Sequence, residues 1–145
     1  MSGLSGVAWI DLASTRDSRG VLTAVEVGKE IAFEIRRVFF MHDIVAPRGA
    51  HAHRDTDQLL VAVAGSLEVV LSDARESAAY ALDNPERGLY VPRMVWVDLR
   101  GFSPGAVCLV LASTLYQPAR TIRSREDYLQ ALAREDAGPD AGDPR

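Results

Sequence analysis

Short apolar runs alternate with turn residues along most of this chain. The runs are rich in valine, leucine, isoleucine and aromatic residues, which is typical of β-strands, and glycine, proline, asparagine and serine separate them. The predicted strands are 6–12, 20–27, 36–43, 49–53, 58–64, 66–72, 77–82, 88–92, 94–99 and 106–112. Many short strands at this spacing predict an all-β antiparallel sandwich or barrel.

Helical signals are scarce before residue 120. Residues 124–127 read Ser-Arg-Glu-Asp, a capping-box pattern that predicts a short C-terminal helix continuing through 128–133. Tyr128, Leu129 and Leu132 should share one face of this helix and pack it on the sheet. The tail 136–145 is rich in Asp, Gly and Pro and is predicted to be disordered, which leaves one domain over 1–135.

Composition narrows the class of protein. The chain has 145 residues, 48% of them hydrophobic, and a formal net charge of −4, which disfavours a nucleic-acid binder. Cys108 is the single cysteine and lies in an apolar run, so we expect a buried hydrophobe, no intrachain disulfide and a cytoplasmic location. Neither a signal peptide nor a membrane helix is indicated.

Two histidines carry the most informative pattern. His51, His53, Gln58 and Gly65 follow the spacing H-x-H-x4-Q-x6-G. Side chains alternate along a strand, so His51 and His53 point to the same face and would line the interior of a barrel. Gln58 would begin the next strand, and Gly65 would supply the positive φ that a hairpin turn needs.

This pattern resembles the first signature of the cupin superfamily, with Gln58 in place of the usual metal-binding Glu. In the stretch that corresponds to the second signature, 88–97, Pro92 is present but Met94 and Val97 replace the expected Gly and His. Two imidazoles, an amide and an alkyl group are a poor donor set for zinc or non-haem iron. The sequence therefore predicts no metal, with Asp55 and Asp57 left open as loop ligands.

Several longer segments resemble the sugar 3,4-ketoisomerase family, over roughly residues 6–132. They are RGVLT (19–23), FEIRRVFF (33–40), RGAHAHR (48–54), GLYVP (88–92) and FSPGAVCLVLAS (102–113), followed by Tyr116 and the segment 122–129. The resemblance implies a double-stranded β-helix, the cupin jelly roll, with a short C-terminal helix. It also implies a homodimer in which the N-terminal strands are exchanged between subunits.

The resemblance further implies a cofactor-independent isomerase. Its partner would be a nucleotide-linked deoxysugar, a TDP-4-keto-6-deoxyhexose of deoxysugar biosynthesis, converted to the 3-keto isomer through an enediolate. The family assigns the acid/base work to the H-x-H histidines, here His51 and His53. Imidazole suits this work because it titrates near neutrality. Which histidine acts at C3 is left open.

Five further residues are candidates for substrate binding. Arg37 and Arg48 could pair with a diphosphate, or lie at the surface in salt bridges. Arg54 could join them or face outward. Gln58 could hydrogen-bond a sugar hydroxyl or orient a histidine, and Trp96 could stack on the sugar or base or fill the core.

Two alternatives to the isomerase are kept open. A non-catalytic cupin that binds a sugar nucleotide or another small ligand is favoured by Phe40 and Val97, which stand where the family commonly has polar or titratable residues. A metal-dependent cupin oxygenase is disfavoured by Gln58 and Val97.

Overall fold

The computed structural model describes residues 3–136. A 3-10 helix, Gly3–Gly6, precedes the first strand, and a second one, Pro118–Arg120, precedes the last. The strands are β1 (Ala8–Asp11), β2 (Ala13–Asp17), β3 (Gly20–Ala24), β4 (Arg37–Met41), β5 (Arg48–His53), β6 (Gln58–Ala64), β7 (Leu67–Ser72), β8 (Ser77–Leu82), β9 (Arg87–Val91), β10 (Trp96–Arg100), β11 (Val107–Ala112) and β12 (Thr121–Ile122). The chain then forms helix α1 (Arg125–Asp136).

Two antiparallel sheets form the body of the fold. One has the strand order β1-β9-β6-β11-β4, and the other has the order β12-β5-β10-β7-β8. From β4 to β12, successive strands alternate between the two sheets, except that β7 and β8 pair as a hairpin in the second, and β2 and β3 form a separate hairpin. This is a jelly roll, and the predicted all-β cupin fold with a short C-terminal helix is confirmed.

The core lies between the two sheets because alternate residues of their strands point inward. In β7, Leu67, Val69 and Leu71 are buried while their neighbours are partly exposed. They pack against inward residues of the opposite sheet such as Leu60 and Leu89. At one end of the sandwich this apolar packing gives way to a cavity, so the core forms the floor of the candidate site.

A tight turn joins β6 to β7 at Gly65, as the sequence predicts. Its φ is 66°, a left-handed conformation that favours glycine. An added Cβ would lie 2.5 Å from Ser103 Oγ and 2.8 Å from Ala106 Cα, so the turn also needs the space.

Helix α1 packs on the outer face of the second sheet. Ser124 Oγ accepts a hydrogen bond from the backbone N–H of Asp127 at 3.2 Å, which confirms the predicted cap. Tyr128 and Leu132 are buried, and the Tyr128 hydroxyl donates to the Met94 carbonyl at 2.9 Å. Leu129 is 39% exposed, so the prediction that it packs on the sheet is wrong.

Two strands differ from the sequence-based expectation. The predicted strand 6–12 ends at Asp11, and β2 follows it and pairs with β3 in an exposed hairpin. β2 has no buried face, so it shows no apolar alternation. β12 was missed because two residues are too few to show an apolar alternation. The predicted tail 136–145 lies outside the described residues except Asp136, which belongs to α1, and the domain boundary stays a prediction.

Candidate active site

A cavity of about 590 Å³ opens at one end of the sandwich. Strands of both sheets line it, together with the segment that follows β11. The lining residues are basic, aromatic or aliphatic, with two imidazoles, one amide and one threonine hydroxyl: Arg37, Phe39, Phe40, Met41, Pro47, Arg48, Gly49, His51, His53, Gln58, Leu60, Val97, Leu99, Val110, Tyr116, Thr121 and Arg123. Among these residues there is no carboxylate, so the cavity is positively charged in a chain whose net charge is −4.

Strand β5 places both histidines in the cavity. His51 and His53 lie on one face of the strand, and Ala52 between them is fully buried on the other face beneath α1. The two rings are 4.6 Å apart between centroids and meet edge to face at 81°. Two imidazoles at this separation can reach neighbouring atoms of one bound molecule.

His53 is held from both sides of its ring. Gln58 Nε2 lies 3.5 Å from His53 Nε2, and Thr121 Oγ1 lies 3.4 Å from His53 Nδ1. His51 differs, because its Nδ1 is buried and has no hydrogen-bond partner within residues 3–136. The two rings are therefore constrained to different extents, and His53 is the more firmly oriented one.

Both histidines are held in the neutral form. Burial, followed by the neighbouring charges of His51, Arg37 and Arg123, lowers the pKa of His53 to about 4. Burial is also the main cause that lowers the pKa of His51, and Arg123 acts in the same direction. A neutral imidazole at pH 7 has a free lone pair and can accept a proton from a carbon acid.

Three arginines surround the histidines, and none of them has a carboxylate partner within residues 3–136. Arg37 lies over the rings of Phe39 at 4.4 Å and Tyr116 at 4.8 Å, which orients its guanidinium. Arg37, Arg48 and Arg123 form no salt bridge with any Asp or Glu of residues 3–136. Guanidinium groups that lack a partner and face a cavity are suited to bind phosphate oxygens.

Arg37, Arg48 and Gln58 lie with the histidines, but two predicted binding residues do not. Of the two roles left open for Trp96, the structure supports core packing and not stacking on a ligand: the ring is buried under α1, 5.4 Å from the Tyr128 ring, and its Nε1 donates to Asp98 at 3.2 Å. The expectation for Arg54 is not supported, because Arg54 is not among the residues that line the cavity.

Thr121 and Arg123 are cavity residues that sequence reasoning missed. β12 pairs with β5 so that Thr121 lies opposite His53, and the next residue on the same parity, Arg123, comes near His51. The spacing of Thr121 and Arg123 was visible in the sequence. It could not be interpreted until the partner strand was known, because a two-residue strand is too short to show alternating apolar and polar positions.

The donor set does not fit a first-row transition metal. No group of three or more His, Cys, Asp or Glu side chains between residues 3 and 136 is arranged to hold one. Asp55 is hydrogen-bonded to Arg120 and Asp57 to Arg93, so neither loop carboxylate supplements the two imidazoles. Three cavity arginines would also repel a divalent cation.

No helix in the described part of the chain combines the length and apolarity that crossing a membrane would require.

Comparison with known proteins yields close relatives. The sequence profile of the family described as "FdtA: WxcM-like, C-terminal" matches residues 5–133. The TDP-4-oxo-6-deoxy-alpha-D-glucose-3,4-oxoisomerase of Aneurinibacillus thermoaerophilus is 40% identical over 120 residues, which cover 81% of this chain and 86% of the relative.

Solved structures agree with this result. The 3,4-ketoisomerase from Helicobacter canadensis superimposes with a TM-score of 0.85 at 38% identity, covering 88% of this chain and 98% of the other. QdtA, a sugar 3,4-ketoisomerase from Thermoanaerobacterium thermosaccharolyticum solved with TDP, has a TM-score of 0.88 at 32% identity, covering 91% and 98%.

Proposed function

This chain belongs to the FdtA family, and we propose that it is a sugar-nucleotide 3,4-ketoisomerase that converts a TDP-4-keto-6-deoxyhexose to its 3-keto isomer. One observation carries the proposal. Two neutral imidazoles whose rings are 4.6 Å apart share a cavity with three arginines that have no carboxylate partner in the described part of the chain. The first feature suits proton transfer at carbon, and the second suits a diphosphate.

The reaction is a tautomerisation in which no atom is gained or lost. The ketone at C4 acidifies the C3 proton, and a neutral imidazole removes it to give an enediolate. A proton returns to C4, the hydroxyl proton passes from O3 to O4, and the product is a ketone at C3. We assign the base to His53 because contacts on both sides fix its ring, whereas burial keeps both histidines neutral and does not distinguish them.

We assign His51 the role of a hydrogen-bond donor to an oxygen of the sugar in the same step. The Nδ1 of His51 is buried and has no hydrogen-bond partner within residues 3–136, which leaves Nε2 as the ring nitrogen that can reach a ligand in the cavity. An Nε2–H can donate to an oxygen of the enediolate as charge develops there, while His53 handles the carbon-bound proton. The 4.6 Å ring separation is compatible with adjacent carbon and oxygen atoms of one sugar.

We assign Arg37, Arg48 and Arg123 to the diphosphate. The charge of the nucleotide would be met by guanidinium groups that have no competing carboxylate in the cavity. Tyr116 lies against Arg37 and is 63% exposed, so it is placed to cover a base or sugar at the cavity mouth.

The test is solvent exchange. Metal-stripped protein is incubated with a TDP-4-keto-6-deoxyhexose in deuterated water, beside a control without enzyme and a His53→Asn variant. The proposal predicts deuterium in the sugar and a 3-keto product with wild-type protein only. Tight binding of the sugar nucleotide without exchange would instead support the non-catalytic binding cupin, which Phe40 at the rim and Val97 on the wall of the cavity leave as the alternative.

We also propose a homodimer. Val38 and Phe40 are 56% and 59% exposed on β4, which is the edge strand of its sheet, and such apolar exposure is typical of an interface. Within one chain β1 pairs with β9, in the register Trp9↔Leu89, so strand exchange would bring the β1 of a second copy into the same register. A cytoplasmic location stays a prediction from the single cysteine.

A further inference from the structure

A chain of hydrogen bonds runs through the ring of His53 to the backbone behind it. Gln58 Nε2 lies 3.5 Å from His53 Nε2, and Thr121 Oγ1 lies 3.4 Å from His53 Nδ1. The hydroxyl of Thr121 in turn donates to the Gln117 carbonyl at 3.2 Å. The last acceptor is a backbone oxygen, which cannot change its role, and this end therefore sets the direction of the whole chain.

The direction follows from what each atom can do. The Thr121 hydroxyl has one proton, and the Gln117 carbonyl receives it, so Thr121 Oγ1 is left to accept from His53. His53 Nδ1 must then carry the ring proton and donate it. At the other end the Gln58 amide nitrogen can only donate, which again makes His53 Nε2 an acceptor. Both ends require the same tautomer.

We propose that Thr121 is the positioning residue that holds His53 in the Nδ1–H tautomer and so keeps Nε2, the nitrogen next to Gln58, as a proton acceptor. The tautomer of a histidine is set by the hydrogen bond made at its other nitrogen. Free imidazole side chains in water favour the opposite tautomer, with the proton on Nε2, and that form of His53 could not take a proton through Nε2.

The segment that carries Thr121 is anchored independently of the ring. Arg120 pairs with Asp55 through two hydrogen bonds of 2.6 and 3.0 Å, and its carbonyl accepts from the Arg54 N–H at 3.0 Å. Ile122 on the other side is buried beneath α1. Thr121 thus lies between two fixed residues, so its hydroxyl can impose a tautomer on His53 rather than follow it.

The first test reads the tautomer directly and does not require turnover. Nitrogen-15 NMR of the histidine ring distinguishes Nδ1–H from Nε2–H in the wild-type protein. We expect Nδ1–H for His53, and a shift toward Nε2–H in Thr121→Val, which keeps the shape of the side chain but removes the hydroxyl. Thr121→Ser should keep the wild-type tautomer, and Thr23→Val in the exposed β2–β3 hairpin serves as the matched control.

The second test is kinetic and rests on the proposed function. Thr121→Val should lower kcat about three- to tenfold, the range of one net hydrogen bond, with TDP affinity unchanged and activity restored in Thr121→Ser. An Nε2–H signal in the wild-type protein, or a Thr121→Val spectrum identical to it, would overturn the inference. If the wild-type protein does not turn over, the proposed function fails, while the NMR result still decides the tautomer.

Discussion

Acidification from about pH 7.5 to about pH 5.5 should leave kcat/KM of this protein almost unchanged, which is unusual for catalysis by a histidine. The reason is that His53 is largely buried. Burial, with smaller effects of His51, Arg37 and Arg123, lowers its pKa from 6.5 to about 4. The free protein therefore keeps its base unprotonated well below neutrality, and kcat/KM reports the free protein.

The size of the effect follows from the two pKa values. A histidine with a pKa of 6.5 is about 9% neutral at pH 5.5, so kcat/KM would fall about tenfold from its value at pH 7.5. A histidine with a pKa of about 4 is still about 97% neutral at pH 5.5, so the fall would be only a few per cent. The two cases differ enough to be separated by ordinary initial-rate measurements.

The assay follows product formation at low substrate across the pH range, and samples returned to neutral pH control for unfolding. An acid limb centred near pH 6.5 would refute the argument, because it would show either that the pKa of His53 is not lowered or that His53 is not the base. Arg123→Met removes one of the charges that lower the pKa of His53, so its limb should move to higher pH. In the wild-type protein, the acid limb of kcat should likewise lie at higher pH than the limb of kcat/KM, because bound diphosphate offsets the arginine charges.

Three further predictions can be checked with purified protein. His53→Asn should lower turnover about 100-fold or more while TDP binding changes little, and unchanged deuterium exchange in both this variant and His51→Asn would show that the histidines are structural. Arg123→Met should weaken TDP binding at least about tenfold, as measured by calorimetry, whereas Arg100→Met, which loses only a surface pair with Glu68, should not. Sedimentation should show a dimer at micromolar concentration that deletion of residues 1–12 weakens, and a monomeric wild-type protein would contradict this.

The alternation of side chains explains most of what the sequence could predict. Parity alone placed His51 and His53 on one face, and the structure brings both into the cavity. The same rule could have excluded Trp96. Val97 stands at the position where cupins place a ligand, and it pairs with His51 across the sheet. Its neighbour Trp96 must therefore point the other way, toward α1.

The residues that sequence reasoning missed depend on pairings far apart in the chain. Arg123 and Thr121 reach the histidines only because β12 pairs with β5. A two-residue strand is too short for its local sequence to predict that pairing. The error at Leu129 has a similar cause. A helical face is fixed by the surface on which it packs, and here that surface accommodates Tyr128 and Leu132 but leaves Leu129 at the margin.

Gln58 stands where the cupin signature has a carboxylate. This one difference bears both on metal binding in the cavity and on the ability of His53 to act as a base. A glutamate at this position, 3.5 Å from His53 Nε2, would accept a hydrogen bond from that nitrogen and favour the Nε2–H tautomer. Its charge would also raise the pKa of His53, against the lowering that burial produces. The neutral amide does neither, because its nitrogen can only donate. One substitution therefore removes an anionic metal ligand and keeps His53 Nε2 in the acceptor form that proton abstraction from carbon requires.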